Sequence, residues 1–244
     1  MALPKLNTPT YELEVPSTDE KIKYHPFLVK EEKILMMAME TEESKQTIQA
    51  VKDIVHSCTF EKLDVANLPM FDIEYIFLNI RAKSVGETSK LKVLCQDDGK
   101  TYADLEVNLN EVKVQVDEDH TNKIELSEDM GMIMTYPTLE SFIDLGLTNI
   151  TPANMLDVIG GCILQIYEEK GEKVYDPKDQ TKKELEEFLE SFTTQQFQDV
   201  QKFFDTMPKL KYEVQVTNPK TKKKNKIVLQ GLNDFFVYPS HTIA

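Results

Sequence analysis

The stretch that most constrains the fold is LPMFDIEYIFLNIRAKSVGETSKLKVLCQDDGKTYADLEVNL, residues 68–109. At roughly 100° per residue, Met70, Ile73, Ile76, Phe77 and Ile80 fall in one arc and Phe71, Tyr75 and Leu78 in a second. Asp72 with Asn79 and Glu74 with Arg81 occupy the two polar seams between them. A helix apolar on two sides is sandwiched between other elements rather than laid on a surface. Pro69 suits its first turn. Beyond Gly86, Leu91–Cys95 and Tyr102–Leu109 read as strands joined through Gln96-Asp97-Asp98-Gly99. Asp-Gly is one of the strongest short-range hairpin signals.

A weaker copy of this plan closes the chain. Phe197, Val200, Phe204 and Met207 recur at helical spacing, and PKLKYEVQVTNPKTKKKNKIVLQGL reads as a second hairpin. SKLKV at 89–93 and PKLKY at 208–212 begin the two hairpins alike. The pair reads either as an ancient repeat or as two uses of one supersecondary unit.

The remaining chain supplies smaller elements. Residues 1–28 are expected to be extended, because Pro4, Pro9, Pro16 and Pro26 break any helix. Within them Tyr11, Leu13 and Val15 alternate with Glu12 and Glu14, the period of a half-buried strand. Such an arm can pack on its own domain or on a neighbouring subunit. Helices are expected at Glu31–Met39 and Thr41–Cys58, the second with Ile48, Val51, Ile54 and Val55 on one face. Val112, Val114 and Val116 mark a strand; Lys123–Leu126 and Met132–Tyr136 mark two more. Leu139–Leu147 reads as helical. Thr151-Pro152 opens a further helix, with Met155, Ile159, Cys162, Ile163 and Ile166 facing one way and Gly171 ending it. Gly160-Gly161 in its middle implies close approach of another backbone. Val174–Gln180 reads as a loop. Thr181 with Glu184 and Thr193 with Gln196 fit capping boxes that start two helices.

Composition narrows the function classes. The 244 residues carry a net charge of −14, with 41% hydrophobic and 29% charged residues. That suits a globular chain and argues against a broad nucleic-acid-binding surface, which needs a basic excess. Three well-separated cysteines, Cys58, Cys95 and Cys162, form no disulfide framework and suit a reducing compartment. Neither a signal peptide nor a membrane span is expected, since no run approaches roughly 18 apolar residues.

Catalytic and metal motifs are missing from the sequence. None of the four histidines has a companion ligand at metal-binding spacing, and no HExxH, GxSxG, Walker A or GxGxxG string occurs. Asp117-Glu118-Asp119-His120 lacks the glycine and spacing of a calcium loop and reads as a solvated turn. Asp97-Asp98 with Asp104 could pair carboxylates, but hairpin turn chemistry accounts better for the first two. Cys95 is a nucleophile only if a base such as His56 or His120 meets it in three dimensions. Cys95-Gln96-Asp97-Asp98-Gly99-Lys100 has the outline of one zinc-knuckle turn, with aspartate where the second cysteine would stand. The terminal hairpin has no cysteine, so no metal and no cofactor are expected.

FDIEYIFLNIRAKSVGE running into KLKVLCQDDGKT and LEVNLNEVKVQV resembles the baseplate hub subunit family of T-even-like contractile-tailed bacteriophages, whose members include those of cyanobacterial phages. The opening MALPKLNTPTYELEVPSTDEKIKYHPFLVKEEKILMMAME and the closing MPKLKYEVQVTNP…IVLQGLNDFF are similar to the same family. The resemblance implies a non-enzymatic late viral protein of the tail baseplate hub. It implies other hub proteins as partners; no membrane and no nucleic acid are expected, on composition and hydropathy. It places the protein in the cytoplasm of the infected host during assembly, with the virion tail baseplate as the second location. A transient assembly chaperone absent from the virion is the alternative, and an enzyme with a cysteine or carboxylate site the third.

The expected fold is α+β. Residues 1–136 would form a lobe in which the central helix packs on a mainly antiparallel sheet with β-hairpins. Residues 137–244 would form a helical lobe ending in a β-hairpin, which could return to the first lobe and make one domain. The expected partner contacts are the arm (Tyr11, Leu13, Val15), the cationic hairpin tip (Lys220, Lys222, Lys223, Lys224) and the aromatic tail (Phe235, Phe236, Tyr238). For the tip, the competing reading is a solvated loop that discourages edge pairing.

Overall fold

In the computed structural model, which describes residues 7–40, 44–139, 141, 151, 154–168 and 171–235, the central helix is α3, Met70–Val85. Phe71, Ile73, Ile76, Phe77, Leu78 and Ile80 are all buried, so both apolar arcs are used. On one side Leu78 and Ala82 join a core with Leu91, Leu105, Leu210, Ile227, Leu229 and Phe235. On the other, Phe27 stacks at a tilt on Phe77, with ring centroids 5.6 Å apart. The Phe27 N–H also donates to the Ser84 hydroxyl at 2.7 Å. The helix is sandwiched because its two apolar stripes each need a separate covering layer.

The layers come from short antiparallel elements. β1 (Tyr11–Glu14) pairs with β2 (Lys21–Tyr24). Two helices follow: α1 (Val29–Glu40) and α2 (Ser44–Cys58). Glu31, only 1% exposed, ties them together. Its carboxylate accepts from the Ser57 hydroxyl at 2.7 Å and from the Leu28 N–H at 2.9 Å. β3 (Thr88–Leu94) and β4 (Tyr102–Asn108) form the hairpin after α3. β5 (Lys113–Gln115) pairs with β10 (Lys209–Thr217), which pairs in turn with β11 (Lys224–Gln230), giving the order β11-β10-β5. A short helix, α7 (Gly231–Phe235), follows β11.

A four-stranded antiparallel sheet stands apart in sequence: β6 (Lys123–Glu125), β7 (Met130–Met134), β8 (Ile163–Glu168) and β9 (Lys173–Tyr175). α4 (Met155–Gly161), α5 (Lys182–Glu190) and α6 (Thr194–Thr206) accompany it. Ile124, Met132, Met134, Ile159, Cys162, Ile166, Val200 and Phe203 share its core. Both capping boxes, at Thr181/Glu184 and Thr193/Gln196, are formed. The α+β class expected from the sequence is the class observed.

The chain divides into two units: Met1–Val65, Phe71–Gln115 and Lys209–Ala244 in one, Ala66–Met70 and Val116–Pro208 in the other. This division runs differently from the expected boundary at 136/137. Residues 116–136 group with the second unit because β6 and β7 pair there with β8. The terminal hairpin belongs to the first because β10 pairs with β5. The helix α6 before that hairpin lies in the second unit, so helix and hairpin do not recur together as one body.

Three local expectations are also revised. The helix from Thr151 ends at Gly161 with Cys162 as its C-cap, and Ile163–Glu168 is strand β8. Ile159, Cys162, Ile163 and Ile166 are buried in one core as the spacing implied, but β-branched and aromatic residues carry the second half as a strand. The glycine pair marks this change of structure; a Cβ on Gly160 would meet nothing closer than Leu189 Cδ1 at 3.9 Å. The expected arm holds a second strand, β2, and Val174–Gln180 begins within β9 and continues into a turn capped by the Asp176 side chain. The helix expected at Leu139–Leu147 lies outside the described residues.

Candidate partner-contact surfaces and the apposed hairpin tips

The arm is bound to its own chain. Ser17 donates twice to the Asp72 carboxylate, from its N–H at 3.1 Å and from its hydroxyl. Asp72 is fully buried, and burial pushes its carboxyl up while the Ser17 bonds pull it down. Val15 is 1% exposed and is spent in the core. Tyr11 and Leu13 are half-buried. The Tyr11 ring lies 5.7 Å from that of Tyr24, with Lys83 Nζ 5.6 Å from its centroid. Of the tail residues, Phe235 is fully buried, and its carbonyl accepts from the Ser89 hydroxyl at 2.8 Å. Val15 and Phe235 thus pack in the core of their own chain. Phe236 and Tyr238 lie outside the described residues.

The cationic tip is exposed at all four positions, Lys220, Lys222, Lys223 and Lys224. It is held from below by the other hairpin. Asp97, in the turn between β3 and β4, accepts from Asn218 Nδ2 at 2.8 Å and from the Thr221 hydroxyl. Its own N–H donates to Asn225 Oδ1 at 2.9 Å. These bonds hold the Asp97 carboxyl below the usual carboxylate range. Asn218 is fully buried and Asn225 nearly so. Sequence pattern gives Asp97 a turn role alone and singles out neither Asn218 nor Thr221. A signal was present in the matched spacing of Asn218-x-x-Thr221-Lys222 and Cys95-x-x-Asp98-Gly99, and it was hidden because only one residue of the set is a cysteine.

Cys95 is fully buried, and burial raises its thiol, with the Asp97 and Asp98 charges adding to the rise. Burial likewise drives Cys58 and Cys162 to about 12. A nucleophilic thiol needs the opposite shift. His56 lies on α2, with its Nδ1 3.4 Å from the Leu63 carbonyl oxygen. The His120 ring is held between Thr206 Oγ1 at 2.9 Å and the Tyr136 hydroxyl at 3.0 Å. The Asp117–His120 turn is therefore anchored through its histidine. Among the described residues no group of three or more potential ligands could hold a metal ion, and no helix is long and apolar enough to cross a membrane.

No curated protein and no solved structure matches this chain. A family model described as T4 bacteriophage base plate protein matches residues 8–237. That match spans the arm, the central helix, both hairpins and the second unit, and so the chain belongs to the T4 bacteriophage base plate protein family.

Proposed function

We propose that this protein is a non-enzymatic subunit of the baseplate hub of a contractile phage tail, acting through contacts with other hub proteins. The observation that carries the reading is the family match over residues 8–237. The hub assignment within the baseplate rests on the resemblance of the 71–116 segment and of both termini to hub subunits. The contact surface is the tip at Lys220, Lys222, Lys223 and Lys224. These are four exposed ammonium groups on a chain whose net charge is −14. Such a tip steers toward an acidic partner surface and fixes its orientation. Tyr11 and Leu13, half-buried on the N-terminal hairpin, form a second contact, apolar rather than electrostatic.

Quantitative mass spectrometry of purified mature particles and of purified assembly intermediates tests the role. A fixed ratio to hub proteins in both preparations is expected. Presence in intermediates alone would make the chain a transient assembly factor and overturn the structural reading. Charge reversal at Lys220, Lys222 and Lys223 together should block incorporation into the hub while leaving the circular dichroism spectrum unchanged. Normal incorporation of that variant would remove the tip from the contact surface.

A further inference from the structure

The two hairpin turns share one backbone design. In the first, the Gly99 N–H donates to the Cys95 carbonyl at 3.0 Å; in the second, the Lys222 N–H donates to the Asn218 carbonyl at 2.9 Å. Gly99 and Lys222, each the fifth residue of its turn, both take φ of +62°. This is a left-handed conformation that is uncommon for a lysine. Each turn begins directly after its strand, β3 ending at Leu94 and β10 at Thr217. The first residue of each, Cys95 and Asn218, is fully buried. The fourth residues, Asp98 and Thr221, lie nearer the solvent. Matching the turns in this way sets Cys95-x-x-Asp98-Gly99 against Asn218-x-x-Thr221-Lys222. The KLK strings fall out of register, since Lys90 precedes Cys95 by five positions and Lys209 precedes Asn218 by nine.

The turns face one another. Asn218 Nδ2 donates to the Asp97 carboxylate at 2.8 Å. Thr221 bonds the same Asp97 carboxylate. The bonds across the turns run through Asp97, the third residue of the first, to Asn218 and Thr221, the first and fourth of the second; two tight turns facing one another are also the frame on which four thiolates, at residues one and four of each, close a tetrahedron around zinc. The residues present do not fit zinc. One thiol, one carboxylate, one amide and one hydroxyl are not a structural zinc set, and the centre is bridged by a carboxylate.

We propose that the apposed turns at Cys95–Gly99 and Asn218–Lys222 are a metal-free zinc-ribbon frame, in which the Asp97 carboxylate and its bonds to Asn218 and Thr221 hold the tips together in place of a metal. The tip that presents the lysine cluster is then rigid without any cation. The backbone remains competent for one tetrahedral ion once thiolates stand at the other three positions. This inference is independent of the baseplate role.

The test is the full-length variant Asp98→Cys/Asn218→Cys/Thr221→Cys, which keeps Cys95, titrated in reduced form with cobalt(II) and then zinc(II). One equivalent of cobalt should bind with the visible bands of a tetrahedral thiolate site and be displaced by zinc. The unmodified chain should show no such bands. Adding Cys95→Ser should weaken cobalt binding by at least about tenfold, since loss of even an outer-shell partner of a ligand costs about 10–100-fold. A variant that folds only when metal is added supports the frame equally. A folded variant that takes up no cobalt overturns it. So does a variant unfolded with and without metal, or uptake that Cys95→Ser leaves unchanged. A second measurement uses Asp97→Ala in the otherwise native chain. Amide exchange at Gly99 and at Lys222 should both speed up, by about tenfold or more, because the turns open as one unit. Acceleration confined to one turn would overturn the coupling.

Discussion

Asn218 donates a hydrogen bond to the Asp97 carboxylate at 2.8 Å across 121 residues of sequence, and through that bond the two hairpin turns become one tip. Neither residue belongs to a strand. Each sits in a turn whose backbone is already closed by its own hydrogen bonds. The long-range bond therefore sets the position of one closed turn against the other.

The bond makes the tip sensitive to acid. The Thr221 and Asn218 hydrogen bonds lower the Asp97 carboxyl below its unfolded value. A carboxylate lowered on folding adds stability that is complete above the unfolded pKa and is lost as pH falls through the folded one. Backbone resonances of residues 96–100 and 218–224 should hold steady from about pH 7 to about pH 5 and shift together below about pH 4. Asp97→Asn should remove that joint transition. Independent shifts of the two turns would show that the carboxylate does not couple them.

Glu74 carries the opposite sign. It lies on α3 and accepts from the Leu232 N–H at 3.3 Å at the start of α7. Burial pushes its carboxyl up to about 7, and the charge of Asp234 adds to the rise. A carboxyl raised on folding costs nothing while both states are protonated. It destabilises increasingly as pH rises from the unfolded value through about 7. Glu74→Gln keeps an oxygen acceptor for Leu232 and removes the charge. It should match the wild type near pH 4.5 in urea denaturation and exceed it at pH 8 by on the order of 1–3 kcal/mol. Equal stability at both pH values would show that the carboxylate is solvated.

The arm is expected to depend on Ser17. Its N–H and hydroxyl are the bonds given to the fully buried Asp72. Removing a donor from a buried carboxylate costs about 1–3 kcal/mol. Ser17→Ala should lower the denaturation midpoint accordingly. It should also admit limited proteolysis in the turn between β1 and β2 ahead of global unfolding, with the cut mapped by mass spectrometry. An unchanged midpoint would mean that Asp72 is satisfied without the arm.

Gly131 tests the second unit. A Cβ there would lie 2.2 Å from the Tyr167 hydroxyl oxygen, 2.4 Å from Tyr167 Cζ and 2.8 Å from the Ile124 carbonyl oxygen. The hydroxyl can move with its ring, but the carbonyl belongs to the β6 backbone. Gly131→Ala should destabilise the β6–β7–β8 sheet by about 1–3 kcal/mol or more. Adding Tyr167→Phe should recover only part of the loss, since the contacts with the ring Cζ and with the Ile124 carbonyl remain. Full recovery would place the whole clash on the tyrosine hydroxyl.

Local chemistry was legible in the sequence alone. The two-sided apolar pattern of residues 70–80 determined a sandwiched helix, and two capping boxes determined where α5 and α6 begin. Asp98-Gly99 determined the first hairpin turn. Each of these acts over a few residues, through side-chain period, a cap bond or a backbone conformation that glycine accepts. The tertiary structure decided what lies far apart in the chain. It paired β10 with β5 and so drew the terminal hairpin into the first unit. It turned Ile163–Glu168 into a strand because β7 and β9 were there to pair with it. It buried Val15 and Phe235, whose apolar character was equally compatible with an exposed contact. It also brought Asn218 and Thr221 to Asp97, for which a single turn's sequence holds no information. Strand partners and burial are set by free energies summed over contacts about a hundred residues apart, and a local pattern cannot choose among the partners that satisfy it.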